Sequence, residues 1–258
     1  MNRIEKKFEE LRSKKKKALI TYITGGHPSI EHTEELIYAQ IRGGADIVEI
    51  GIPFSDPLAD GPVIQKAAQH ALEGGVTQEK IFQCIKKVRG NVEAPLVFLV
   101  YFNTVLAYGV ERFVAMCEEV GIDGLIIPDL PMEEQQEILP YMQNKDVALI
   151  PLVAPTSGDR IPELVSWAKG FVYCISSLGV TGAQGSFYRE VEVFLQSIRK
   201  HTDLPLAVGF GISTPEDIQR LQPYVDGVIV GSAIVRKVEE SQGNPEVVEE
   251  FVKSLCSK

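Results

Sequence analysis

Glu49 stands in the middle of the apolar run Ile47-Val48-Glu49-Ile50, and Ser55, Asp56 and Asp60 follow it on a proline-rich stretch ending at Gly61. Burying an ionised carboxylate without a partner is costly, so a glutamate is rarely placed in such a run by accident. A glutamate on a strand and an aspartate on the loop after it have different environments, hence different proton affinities. General acid–base chemistry needs such a pair. Each residue also has a plainer reading. Glu49 could be a structural acid paired with a lysine or with backbone donors. Asp60-Gly61-Pro62 could simply start the amphipathic run Val63 to Leu72, and Asp56-Pro57 could be turn chemistry alone.

A second chemical signal lies near the carboxyl end of the chain. Ala207-Val208-Gly209-Phe210-Gly211-Ile212-Ser213 and Val228-Ile229-Val230-Gly231-Ser232-Ala233 each run from an apolar strand pattern into a glycine turn before a helix. Glycine lets backbone N–H groups approach anionic oxygens, and a helix N-terminus favours negative charge. Either turn alone could be a tight connection. Two in succession predict a phosphate site, with the Ser232 hydroxyl as an additional donor.

These residues need a scaffold. Strand-like runs at 19–24, 46–51, 96–101, 123–128, 147–152, 171–175, 205–209 and 226–230 alternate with helix-length segments. Several are almost continuously apolar, as expected of parallel strands buried on both faces. Eight such units without a compositional break predict a (β/α)8 TIM barrel, one domain over 1–258, in preference to a doubly wound open sheet. Asn2 to Lys14 reads as an extra N-terminal helix, with Ile4, Phe8 and Leu11 on one stripe. Gly43-Gly44 and Gly121 stand where helices end, and Thr214-Pro215 where one begins. Residues 177–188 read as a loop too long and glycine-rich for a plain connection. Because residues two apart on a strand share a face, Ile47, Glu49 and Gly51 point into the barrel while Val48 and Ile50 meet the outer helices. Glu49 is then near the mouth, where barrel enzymes hold their active sites and burial raises a carboxyl's proton affinity.

Composition narrows the remaining possibilities. The 258 residues are 45% hydrophobic and 24% charged, enough for a large core. A net charge of −9 argues against nucleic acid as a partner. No apolar run approaches membrane-spanning length and the N-terminus is charged, so no membrane association and a cytoplasmic location are expected. Cys84, Cys117, Cys174 and Cys256 have no metal or disulfide spacing and read as reduced thiols, Cys174 in the core. Lys14 to Lys17 read as a solvated basic run. His27, His32, His70 and His201 are scattered, and no Walker loop or dinucleotide fingerprint is present; no metal or nucleotide cofactor is implied.

The stretch from Glu49 to Gly61 resembles the signature of the tryptophan synthase α subunit. The likeness continues in Pro128-Asp129-Leu130-Pro131, Gly179-Val180-Thr181-Gly182, Gly209-Phe210-Gly211-Ile212-Ser213 and Gly231-Ser232-Ala233-Ile234-Val235, and so covers nearly the whole chain. One departure is His27, in Thr24-Gly25-Gly26-His27-Pro28, where many members carry an acidic residue. The resemblance implies retro-aldol cleavage of indole-3-glycerol phosphate to indole and glyceraldehyde 3-phosphate. It implies that Glu49 shuttles the proton, that Asp60 accepts a hydrogen bond from the indole N–H, and that Thr181 bonds Asp60 and closes the site. It also implies phosphate contacts at Gly182, Gly211, Gly231 and Ser232, and an indole pocket lined by Tyr22, Val100, Tyr173 and Phe210. A β subunit carrying pyridoxal phosphate would receive the indole within an α2β2 complex, touching the loop of Pro53, Phe54 and Asp56. The chain itself would need no cofactor.

Three rivals compete with that reading. A sugar-phosphate isomerase or an indole-forming synthase on the same scaffold usually wants a lysine, cysteine or second acid at the strand ends, and no lysine lies within the eight runs. A non-catalytic phosphate-binding barrel that activates a partner would not need Glu49 and Asp60. A stand-alone lyase that releases free indole differs only in its independence from a β subunit.

Overall fold

The structure, a computed structural model, describes residues 1–175, 184–209 and 211–256. Its strands are β1 (Ala18–Thr24), β2 (Ile47–Gly51), β3 (Leu96–Leu99), β4 (Gly124–Ile126), β5 (Ala148–Leu149), β6 (Leu152–Val153), β7 (Val172–Ile175), β8 (Leu206–Gly209) and β9 (Gly227–Val230). They form one sheet in the order β5-β4-β3-β2-β1-β9-β8-β7-β6, and every recorded pairing is parallel.

The sequence predicts eight strands and the described residues form nine, because the predicted strand over 147–152 is broken. Pro151 has no N–H to give to a ladder, so the pairing lapses around it. The chain carries the ring across the gap: Ile150 N donates to Leu125 O at 2.8 Å and Tyr173 N to Pro151 O at 2.9 Å. β5 and β6 thus share one position, and the nine segments fill the eight staves of a (β/α)8 barrel.

Alternation along the strands separates two cores. Outward residues such as Val48, Ile50, Leu96, Phe98, Val172 and Val208 pack with the helices that wrap the sheet. Inward residues Ile20, Ile47, Val97, Ile126, Ile150, Ala207 and Ile229 fill the barrel, together with Ile4, Phe8 and Leu11. Those last three lie on the extra N-terminal helix, Arg3–Ser13, opened by a capping box between Asn2 and Glu5. The helix closes the amino end of the barrel: Arg3 Nη1 reaches Asp123 Oδ1 at 3.0 Å, just before β4.

Three aspartates hold that end together. Asp46, Asp123 and Asp226 each directly precede a strand, and each accepts a backbone N–H from a neighbouring strand, Leu19, Leu96 and Leu206 respectively, at 2.9 Å. Arg89 adds a 2.9 Å ion pair to Asp123. Acidic residues at the amino end therefore serve stability, whereas chemistry in this architecture belongs to the opposite end.

Most boundaries follow the sequence signals. Gly44 and Gly121 end their helices in the left-handed region, at φ of 108° and 81°. Thr214 caps the helix Pro215–Leu221, accepting from Asp217 N at 3.2 Å. Of the loop predicted over 177–188, residues 177–183 lie outside the described residues and the rest is helical, since the helix Gln184–Arg199 begins inside it. Gly185 is tolerated there because the first turn of a helix makes few internal hydrogen bonds.

Candidate active site

β2 carries Glu49 into the barrel. Its register partners are Tyr22 on β1 and Val97 on β3, both inward-facing. Glu49 is 1% exposed, and its Oε2 has no hydrogen-bond partner among the described residues. Burial raises its pKa to about 8, with the nearby charge of Asp60 adding to the effect. The structural reading of Glu49, a carboxylate held by lysine or backbone donors, therefore has no support at this oxygen.

Asp60 is not a helix cap. The helix Pro62–Glu73 is capped by Gly61, with no side-chain bond to its first turn. Instead Asp60 Oδ2 accepts from the Tyr101 hydroxyl at 3.0 Å, and that hydroxyl accepts from Ala59 N at 3.0 Å. Burial raises the Asp60 pKa to about 6, and the Tyr101 bond pulls against the rise. At neutral pH one carboxyl of the pair is then mostly protonated and its neighbour mostly ionised. Such a pair can give a proton and stabilise positive charge at once.

Two buried tyrosines stand beside the acids. Tyr22 and Tyr173 are buried, and burial raises both phenol pKa values, with Glu49 and Asp60 contributing in each case. Their rings account for two glycines. A methyl on Gly209 would come within 2.6 Å of the Tyr173 hydroxyl, and one on Gly51 would overlap the Tyr22 hydroxyl. Gly51→Ala is expected to displace Tyr22 and to destabilise the fold by about 1–3 kcal/mol, as overpacking does. Thermal melting checks it, since an unchanged midpoint would mean that Tyr22 moves aside without strain.

Val100 is corrected by the same alternation. It is fully buried in the outer core against the helices, while Leu99, one residue earlier, packs beside Tyr22 with Ile64 and Val235. Leu99 is therefore the apolar wall of the mouth on this side. Tyr101, the partner of Asp60, is the other residue that sequence reasoning missed. Thr181, Gly182 and Phe210 lie outside the described residues.

The glycine turns converge at the same end. Gly211 follows β8 with φ of 74°, and Gly231 caps the helix Ser232–Glu240 directly after the adjacent β9. A methyl on Gly231 would be 3.6 Å from Tyr22 Cβ, which places this helix N-terminus against the aromatic wall. Its first N–H groups, with the Ser232 hydroxyl, suit an anionic oxygen cluster.

Around the rim, Pro53 is buried, Phe54 stacks on Tyr101 at 5.2 Å between centroids, and Asp56 is exposed, accepting from Ser55 Oγ at 2.5 Å. Leu58 is 92% exposed. His27, 8% exposed, meets His70 of the helix Pro62–Glu73 at 3.1 Å between Nδ1 atoms. Burial, then His70, lowers the His27 pKa. His27 is thus a link between the β1 loop and the helix after Asp60. Among the described residues, no group of three or more His, Cys, Asp or Glu could hold a metal ion, and no helix is long and apolar enough to cross a membrane.

Comparison with known proteins agrees with this geometry. Residues 8–258 match the family described as tryptophan synthase alpha chain. The chain belongs to that family. It is 50% identical to the tryptophan synthase alpha chain of Alkaliphilus metalliredigens, over 99% of this chain and 97% of that one. It is 48% identical to the alpha chain of Thermoanaerobacter pseudethanolicus, covering 100% and 98%. The crystal structure of tryptophan synthase subunit alpha from Legionella pneumophila superposes with a TM-score of 0.91 at 34% identity, covering 99% of this chain and 97% of that one. As a tryptophan synthase alpha chain the protein is a carbon–carbon lyase that cleaves indole-3-glycerol phosphate in tryptophan biosynthesis.

Proposed function

We propose that Glu49 and Asp60 carry the cleavage between them. The observation that supports this most is the juxtaposition of a buried carboxyl, unpaired at Oε2 among the described residues and proton-retaining to about pH 8, with an aspartate that ionises near 6. Glu49 delivers its proton to C3 of the indole ring. Asp60 accepts a hydrogen bond from the ring N–H and stabilises the positive charge that then develops there. Glu49, now a carboxylate, takes the proton of the hydroxyl on the glycerol carbon bonded to C3, which becomes the aldehyde carbon. The electron pair of the C–C bond returns to the ring, releasing indole and glyceraldehyde 3-phosphate, and Glu49 ends protonated as it began.

Binding is assigned around this pair. Gly182, Gly211, Gly231 and Ser232 hold the phosphate, and Tyr22, Leu99, Tyr173 and Phe210 enclose the indole. Thr181 closes over Asp60 and excludes water. The chain works in the cytoplasm without a cofactor of its own, in an α2β2 assembly whose β subunit carries pyridoxal phosphate. Phe54, Asp56 and the exposed Leu58 suit the contact with that subunit, and Pro53 shapes the loop that presents them.

Indole release from indole-3-glycerol phosphate, by the chain alone and with a tryptophan synthase β subunit added, tests the proposal. Weak activity that rises sharply with β is expected. Equal activity in both conditions would make the chain a stand-alone lyase.

A further inference from the structure

We infer that Tyr101 is a positioning residue for Asp60, a hydroxyl clamp that turns one carboxylate oxygen away from the substrate and leaves the other for it. The inference rests on the role of Asp60 proposed above and extends it to a residue outside the acid pair.

The direction of the hydrogen bonds is fixed by valence. Ala59 N–H can only donate, so the Tyr101 hydroxyl accepts from it at 3.0 Å. Its single proton is then left for Asp60 Oδ2, also at 3.0 Å. A phenol donating to a carboxylate stabilises the ionised form and fixes the carboxyl plane. Both bonds also tie the loop of Ala59 and Asp60 to the end of β3, 41 residues away in sequence for Asp60.

Tyr101 is itself held on two sides. Its ring stacks on Phe54 at an interplanar angle of 26°. The next residue, Phe102, donates its N–H to Asp129 Oδ1 at 2.7 Å. Asp129 comes from the Pro128-Asp129-Leu130-Pro131 stretch after β4, so that motif anchors the backbone carrying the clamp. The charged or titratable groups that act on Tyr101 are Asp60 and Asp129, and those that share the mouth with Asp60 are Glu49, Tyr22 and Tyr173.

Tyr101→Phe keeps the ring and its stacking on Phe54 and removes only the hydroxyl. The test measures kcat and KM for indole release across pH in the wild type, Tyr101→Phe and Asp60→Asn, each with the β subunit present. A carboxyl 13C titration of aspartate-labelled chain runs alongside. Tyr101→Phe should lower kcat about ten-fold or more with KM nearly unchanged, as expected for a lost bond to a charged group. Its acidic limb and the Asp60 titration should both move to higher pH while the melting temperature stays close to wild type. Wild-type kcat with an unmoved acidic limb would overturn the clamp, as would a loss of activity without any movement of the limb. If Asp60→Asn keeps full activity, the role of Asp60 itself fails and the clamp falls with it. An inactive Asp60→Asn beside a wild-type Tyr101→Phe would remove the clamp alone.

Discussion

Glu49→Gln is expected to lower indole release by about 10²- to 10⁴-fold, the range a positioned general acid–base supplies. Glutamine keeps the shape of the side chain, and Oε2 has no partner among the described residues to lose, so the fold should survive. What disappears is the group proposed to lend a proton to the ring and to take one back. Stability should change in the opposite sense. Glu49 holds its proton to about 8 in the folded chain, against an ordinary carboxyl value of 4.5. Between those values the folded state binds more protons than the unfolded state, so stability falls as pH rises through the window. Glutamine carries no such charge, and the melting temperature of the variant relative to wild type should climb from about pH 5 to about pH 9. A variant that melts in parallel with wild type at every pH would mean that Glu49 is not held protonated.

Asp60→Asn should lower indole release by about 10²- to 10³-fold, as the loss of a preorganised electrostatic partner does. Asparagine fills the same space but brings no negative charge to the ring nitrogen as C3 is protonated. A second effect separates this variant from simple damage. The Asp60 charge is one of the two causes that hold the Glu49 pKa up, so removing it should lower the Glu49 pKa. A titration of Glu49 in Asp60→Asn that matches wild type would show the two carboxyls to be uncoupled.

How much of this was legible in the sequence depends on the distance over which each signal acts. The inward aim of Glu49 was legible because strand alternation is local, and the structure places Ile47 in the barrel and Val48 and Ile50 among the helices. The helix ends at Gly44 and Gly121 and the cap at Thr214 were legible for the same reason. The same alternation, followed through β3, points to Leu99 rather than Val100. The break at Pro151 follows from its missing N–H, a signal present in the sequence that the run of apolar neighbours overrode. Gly51 and Gly209 were not legible as packing positions, because each is required by a tyrosine ring on a neighbouring strand. Tyr101 was hidden for the strongest version of this reason. An aromatic residue after an apolar strand reads as core, and only folding brings its hydroxyl to Asp60.

The central claim is that two neighbouring carboxyls divide the chemistry because their proton affinities differ. The pH dependence of kcat/KM for indole release tests it most directly. The account predicts a bell, with activity lost below about 6 as Asp60 takes up a proton and above about 8 as Glu49 gives one up. The acidic limb should be absent from whatever activity remains in Asp60→Asn, and the alkaline limb from that of Glu49→Gln. A profile flat across this range, or limbs that persist unmoved in both variants, would contradict it.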